Sequence, residues 1–219
     1  MKLAEISRLL HAAGIYEGFV PEPMPDYVDG WGSYEPFFAE ILREVGERDR
    51  EPIIVEVGTW LGASAIHMSN LLASMQLGGG VVCVDTWLGA LEFWLDTADA
   101  TRYQALGLRN GYPSVYYNFL SNVVQKGVQD RIVPFPVTSP IAARWFAKAG
   151  IRPAAVYIDG SHDAPDVLTD LTSWFPLVEG TGTMFGHDYD WVGPTVDAFA
   201  ADRGLKVEQA KSSTHWVLR

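Results

Sequence analysis

The chain has 219 residues, 48% of them apolar and 20% charged, and 27 acidic against 16 basic side chains leave a formal charge of −11. That much apolar material excludes disorder and builds one domain of ordinary size, while the negative balance repels phosphate backbones and anionic lipid, so neither nucleic acid nor a membrane is expected as a partner. Cys83 is the single cysteine and the opening MKLAEISRLLHAAG is broken by Glu5 and Arg8, so no internal disulfide and no signal peptide are expected, and the chain reads as cytoplasmic.

Taken in chain order, Ile6, Leu9, Leu10 and Ala13 repeat at helical spacing up to Gly14, and Phe37, Phe38, Ile41, Leu42 and Val45 do so after Ser33. Between them PEPMPDYVDGWGS is too rich in Pro and Gly for regular structure. Residues 1–50 thus read as a helical segment packed on a domain that spans 51–219. From there short apolar runs alternate with helical patterns. Strands are expected at 52–57, 81–85, 131–137, 154–159 and 182–186, and continuous apolar runs of this length suit a parallel sheet covered on both faces.

The intervening helices are marked by Ala65, Met68, Leu72 and Met75, then by Ile141, Ala142, Trp145, Phe146 and Ala149 behind a Ser139–Pro140 start. Asp163 caps the next, with Val167, Leu168, Leu171 and Phe175 facing inward, and Pro194 opens a last helix carrying Val196 and Phe199. The stretch from about 87 to 113 has weak periodicity and many aromatics, and reads as an insertion. LKVEQA and THWVL are separated only by Lys211-Ser212-Ser213, which permits an antiparallel pair and no helix. The expected fold is therefore an α/β, Rossmann-like open sheet, mostly parallel, with an antiparallel C-terminal hairpin and helices on both faces.

Ligands of such sheets bind outside the carboxyl ends of the strands, and the unusual residues sit there. Gly58 and Gly62 flank a tight turn in VEVGTWLGAS. Trp60 stands where a dinucleotide fingerprint needs its second glycine, and no Lys-Ser/Thr pair follows, so a pyrophosphate is disfavoured. The turn suits a nucleoside without phosphate, or is an ordinary strand–helix turn. Asp85 ends the second strand, where a carboxylate either accepts both ribose hydroxyls or caps the next turn; Glu56 and Gly58 beside it favour the ribose. Asp159 and His162 follow the fourth strand, His187 and Asp188 the fifth. As a set facing one cleft they could hold a divalent cation and supply a general base; singly, each reads as a cap or a surface residue.

The stretches IVEVGTWLGASAIHM, VVCVDTWLG, FLSNVVQKGVQDRIVPF, VYIDGSHDAPDVLTDL and GTMFGHDYDWVGPTVDAF resemble those of class I S-adenosylmethionine-dependent methyltransferases. The likeness is to the small O-methyltransferases that act on sugar hydroxyls of natural products. The resemblance implies a cofactor site of Glu56, Gly58 and Gly62 on the methionine side, Asp85 at the ribose, Trp87 near the adenosine, and Thr138 and Ser139 at the adenine. It also implies Mg²⁺ held by Asp159, His187 and Asp188, with His187 where relatives commonly carry an acidic residue, and catalysis by His162 as base beside Asp159. A small hydroxylated acceptor is implied, a sugar before a phenol or catechol. The alternatives are a binding protein without methyl transfer and an oxidoreductase, the latter disfavoured by Trp60. The N-terminal helices and the aromatic insertion offer surfaces for a homo-oligomer. Cys83, His11, His67 and His215 read as structural or solvated residues.

Overall fold

The computed structural model describes residues 1–11, 14–22, 36–95, 100–211 and 213–219. Five parallel strands, β1 (Ile53–Val57), β2 (Gly80–Val84), β3 (Ile132–Phe135), β4 (Ala155–Ile158) and β5 (Thr183–Gly186), are buried along their whole length. That is why their sequences are nearly continuous apolar runs, with Glu56 and Thr183 the polar exceptions, rather than alternating ones. β6 (Val207–Gln209) and β7 (Trp216–Leu218) complete a seven-stranded sheet of order β3-β2-β1-β4-β5-β7-β6, with β7 antiparallel to both neighbours. This is the open, mostly parallel sheet with a C-terminal hairpin that the alternating pattern predicts.

Successive strand residues point to opposite faces, and the core divides accordingly. Val55, Val57, Val82 and Val84 pack with the buried sides of α7 (Ser139–Lys148), α8 (Ala164–Val178) and α9 (Tyr189–Asp202), joined by Leu3 and Ile6 from α1 (Leu3–Leu10). Ile54, Val81, Cys83 and Tyr157 face α2 (Phe37–Arg48), α3 (Ala63–Ser74) and α6 (Val115–Gln125). Among the described residues no helix is long and apolar enough to cross a membrane.

Several local expectations need correction. The last helix opens at Tyr189, not at Pro194, which lies inside it and is exposed. The backbone of Asp188 starts it, its carbonyl accepting the Trp191 and Val192 N–H groups. Thr138, not Ser139, holds the N-cap position of α7. Leu168 is 46% exposed, because the buried stripe of α8 runs through Val167, Leu171, Trp174 and Val178 and leaves Leu168 on its flank. α1 stops at Leu10 with Leu9 exposed; Ala13, Ser33 and most of the PEPMPDYVDGWGS loop lie outside the described residues. The aromatic insertion contains two short helices, α4 (Leu91–Leu95) and α5 (Ala100–Ala105), and α6 follows it.

The strand register builds the functional edge. Val57 pairs with Val84 and with Ile158, and Ile158 pairs with Gly186. The next residues, Gly58, Asp85, Asp159 and His187, therefore emerge side by side. The ladder continues one step past the strands, since Gly58 N–H donates to the Val84 carbonyl, Asp159 N–H to Val57 and His187 N–H to Ile158 at 2.8–3.1 Å. The strand order reverses between β1 and β4, which is where an open α/β sheet leaves a crevice.

Candidate active site

A cleft of about 650 Å³ lies over this edge, in the size range of a ligand pocket. Gly58, Trp60, Ser64, Asp85, Thr138 and Ser139 line it toward β1 and β2, and Asp159, His187 and Asp188 line its β4–β5 end. Both glycines of the first turn are required by its geometry. Gly58 has φ +85, and a Cβ there would lie 2.2 Å from the Asp159 carbonyl oxygen; Gly62, at φ +92, would drive a Cβ into the ring of Phe119. Only glycine tolerates both the conformation and the approach.

Asp85 clasps the loops around it. Its Oδ2 accepts the Trp60 N–H at 2.8 Å and its Oδ1 accepts the Trp87 N–H at 2.7 Å. Burial pushes its carboxyl up, and these backbone donors oppose the shift. Trp87 does not face the cleft: it is 2% exposed, packs on Tyr116 and Phe119, and donates its indole N–H to the Trp60 carbonyl at 2.7 Å. It supports the Trp60 loop from behind. The aromatic faces in the cleft wall are instead Trp60 and Phe93, with ring centres 4.6 Å apart.

Glu56 lies beneath the floor rather than in the cleft. It is fully buried, accepts a hydrogen bond from the Ser64 hydroxyl, and has the Cys83 thiol 3.8 Å away. Burial raises its carboxyl to about 8 despite that hydrogen bond. Asp170, a cleft residue on the buried side of α8, is raised by burial to about 6, with Ser139 acting against the shift. The Ser139 hydroxyl also accepts the Trp174 indole N–H at 2.9 Å.

At the other end four side chains form one network. His162 Nε2 is 2.8 Å from Asp188 Oδ2, and His187 Nδ1 is 3.2 Å from Asp188 Oδ1 and 3.6 Å from Asp159 Oδ1. The Tyr157 hydroxyl donates to Asp159 Oδ2 at 3.1 Å. Burial alone would lower His187, but Asp159 and Asp188 hold it as a cation up to about 10. Burial would raise Asp188, yet His162 and His187 keep its carboxyl well below the usual range. The hydrogen bond to Asp188 also raises His162. Asp188 adopts φ +54, the left-handed region, which is uncommon for a residue other than glycine and turns the chain into α9.

Asp159, His187 and Asp188 each offer a ligand atom within 4.8 Å of the others. Two carboxylate oxygens and an imidazole nitrogen at that spacing fit a divalent cation, which on binding would displace the proton that His187 otherwise holds between the carboxylates.

Three features escaped the sequence reading. His215, on the turn into β7, has its ring 4.4 Å from that of His187, and burial together with His187 pushes it down to about 4. Only the insertion of β7 beside β5 brings the two together, so spacing carries no trace of it. Asp170 did leave a signal, a carboxylate on the apolar stripe of its helix. The Trp60–Phe93 pair joins residues from separate loops.

A methyltransferase domain model matches residues 55–189, which contain the whole strand-end row, and the chain belongs to that family. It is a class I, S-adenosylmethionine-dependent methyltransferase. Among solved structures, the O-methyltransferase NovP shares 20% identity and a TM-score of 0.61 over 84% of this chain and 77% of its own. The calicheamicin methyltransferase CalS11 shares 17% and 0.61 over the same shares. An O-methyltransferase from Bacillus cereus in complex with SAH shares 12% and 0.54 over 96% of this chain and 97% of its own. At these identities the likeness is one of fold. No curated protein sequence matches the chain.

The buried Glu56 makes a stability prediction. Its ordinary value is 4.5 and its folded value about 8, so between them the unfolded chain releases a proton that the folded chain retains. Stability therefore falls as pH rises through that window. Asp170 acts with the same sign at lower pH, between 3.8 and about 6. Above pH 6, Glu56→Gln should flatten the fall in urea midpoint and gain on wild type by a few kcal/mol, to order of magnitude. An unchanged slope would mean that Glu56 is not the group responsible.

Proposed function

We propose that the chain transfers a methyl group from S-adenosylmethionine to a hydroxyl oxygen of a small molecule, a sugar or related natural product. The observation that carries this is the Asp159–His187–Asp188–His162 network, which ends the same cleft that Gly58 and Asp85 open. Gly58 and Gly62 shape the loop for the methionine side, with Glu56 and Ser64 bracing it from below. Asp85 receives the ribose while clasping Trp60 and Trp87, and Trp87 serves through the Trp60 loop. Thr138 and Ser139 border the adenine end.

Methyl transfer from a sulfonium is an in-line displacement. The acceptor oxygen must lie behind the methyl carbon and lose its proton as the new C–O bond forms; the electron pair of the breaking C–S bond stays on sulfur. His162 is the base in this reading. An ionised Asp188 can only accept, so the contact at His162 Nε2 places a hydrogen there and leaves Nδ1 to take the acceptor proton. Asp188 thereby orients the imidazole and stabilises the imidazolium that forms. Asp159, His187 and Asp188 would hold Mg²⁺, and a divalent ion bound there lowers the pKa of a coordinated hydroxyl. Tyr157 anchors Asp159 from behind.

Two outcomes follow. His162→Ala should lower turnover by about 10²-fold or more and leave affinity for S-adenosylhomocysteine unchanged; wild-type turnover would remove His162 from the role of base. Exhaustive chelation should abolish methyl transfer, with added Mg²⁺ restoring it. Full activity in excess EDTA would assign Asp159 and Asp188 to orienting the histidines alone.

A further inference from the structure

We infer that the acceptor is an uncharged or cationic ring that stacks on Trp191 and presents its hydroxyl to His162, and that sugars carried on a nucleoside diphosphate are excluded. The inference rests on the O-methyltransferase reading of the cleft and adds to it the acceptor's charge and its docking face.

Trp191 lies in the first turn of α9, its N–H bonded to the Asp188 carbonyl at 2.8 Å, so the residue that orients His162 also sets the position of this indole. The indole is 72% exposed, the highest value for any tryptophan among the described residues. Its plane is 21° from that of His162, with ring centres 6.2 Å apart. Neither ring lines the cleft itself; His162 joins it through Asp188, and the open face of Trp191 beside the proposed base is suited to hold a sugar or aromatic ring by stacking. Glu92 and Phe93, from α4, line the cleft, and the Glu92 carboxylate is close enough for its charge to be felt at His162.

Charge decides which rings fit. Among the described residues the cleft lining carries six carboxylates, Asp85, Glu92, Asp159, Asp166, Asp170 and Asp188, against two cations, Arg102 and the His187 imidazolium that Asp159 and Asp188 hold. Arg102 has its guanidinium 5.9 Å from the centre of the Phe93 ring. A diphosphate needs charge-assisted donors, and forked arginines supply them best. The excess of carboxylates in the lining repels it, whereas an amino sugar or an uncharged glycoside meets no such barrier.

The test is a methyl-transfer assay with S-adenosylmethionine and Mg²⁺ on p-nitrophenyl glycosides, glucosamine, catechol and UDP-glucose, run on wild type, Trp191→Ala and Trp191→Phe. S-adenosylhomocysteine affinity is measured for each protein. Expected is turnover of an uncharged or cationic ring with UDP-glucose inert. Trp191→Ala should raise KM about tenfold with kcat within a few-fold, and Trp191→Phe should recover most of the loss. Turnover of UDP-glucose, turnover of no compound in the panel, an unchanged KM in Trp191→Ala, or a dimer that Trp191→Ala splits to monomers would each overturn the inference. If these occur while S-adenosylhomocysteine still binds, only the acceptor assignment falls. A wild type that does not bind it loses the cleft reading as well.

Discussion

The register that sets Gly58, Asp85, Asp159 and His187 side by side, one residue past their strands, is the constraint on which the site depends. It holds because β1 and β4 come close enough that a Cβ on Gly58 would meet the Asp159 carbonyl at 2.2 Å. A side chain at position 58 would part the strands at the point where the glycine turn meets the carboxylate–imidazole network. The glycine turn after β1 and the carboxylate–imidazole network are therefore positioned by one backbone contact.

Two carboxylates then organise what the backbone has placed. Asp85 spends hydrogen-bonding capacity on the N–H groups of Trp60 and Trp87, which ties the β1–α3 turn to the turn after β2 before any ligand arrives. Asp188 does the equivalent at the other end, binding both His162 and His187 from a left-handed backbone. Strain of this kind persists only where the surroundings over-determine it. Here the Tyr189 N–H donates to the Thr214 carbonyl and Asp188 itself opens α9. The hairpin at the sheet edge is thus part of the site: it delivers that carbonyl, and it packs His215 against His187.

The sheet was legible because parallel strands buried on both faces write themselves as apolar runs, and because a link of three residues between the last two strands forbids a crossover. The strand-end residues were legible for the same reason, since each follows its run directly. What periodicity could not show was the chain between elements. The short helices α4 and α5 have too few turns for an apolar stripe, and Pro194 suggested a helix start that the Asp188 backbone had already supplied a turn earlier. The family resemblance implied Trp87 near the adenosine, yet its φ of +54 and its indole bond to Trp60 send the ring into the core. His215 reaches the site through strand packing, which sequence neighbours do not encode, whereas Asp170 is marked in the sequence only as a carboxylate on an apolar helical stripe.

The most direct measurement is calorimetric titration of S-adenosylhomocysteine into the purified protein, with and without Mg²⁺, beside the Asp85→Ala variant. A cleft built for this nucleoside should bind it in the micromolar range, and loss of the Asp85 carboxylate should weaken binding about tenfold or more. No heat of binding in wild type under either condition, or equal affinity in Asp85→Ala, would mean that the glycine turn and the Asp85 clasp only hold the fold together.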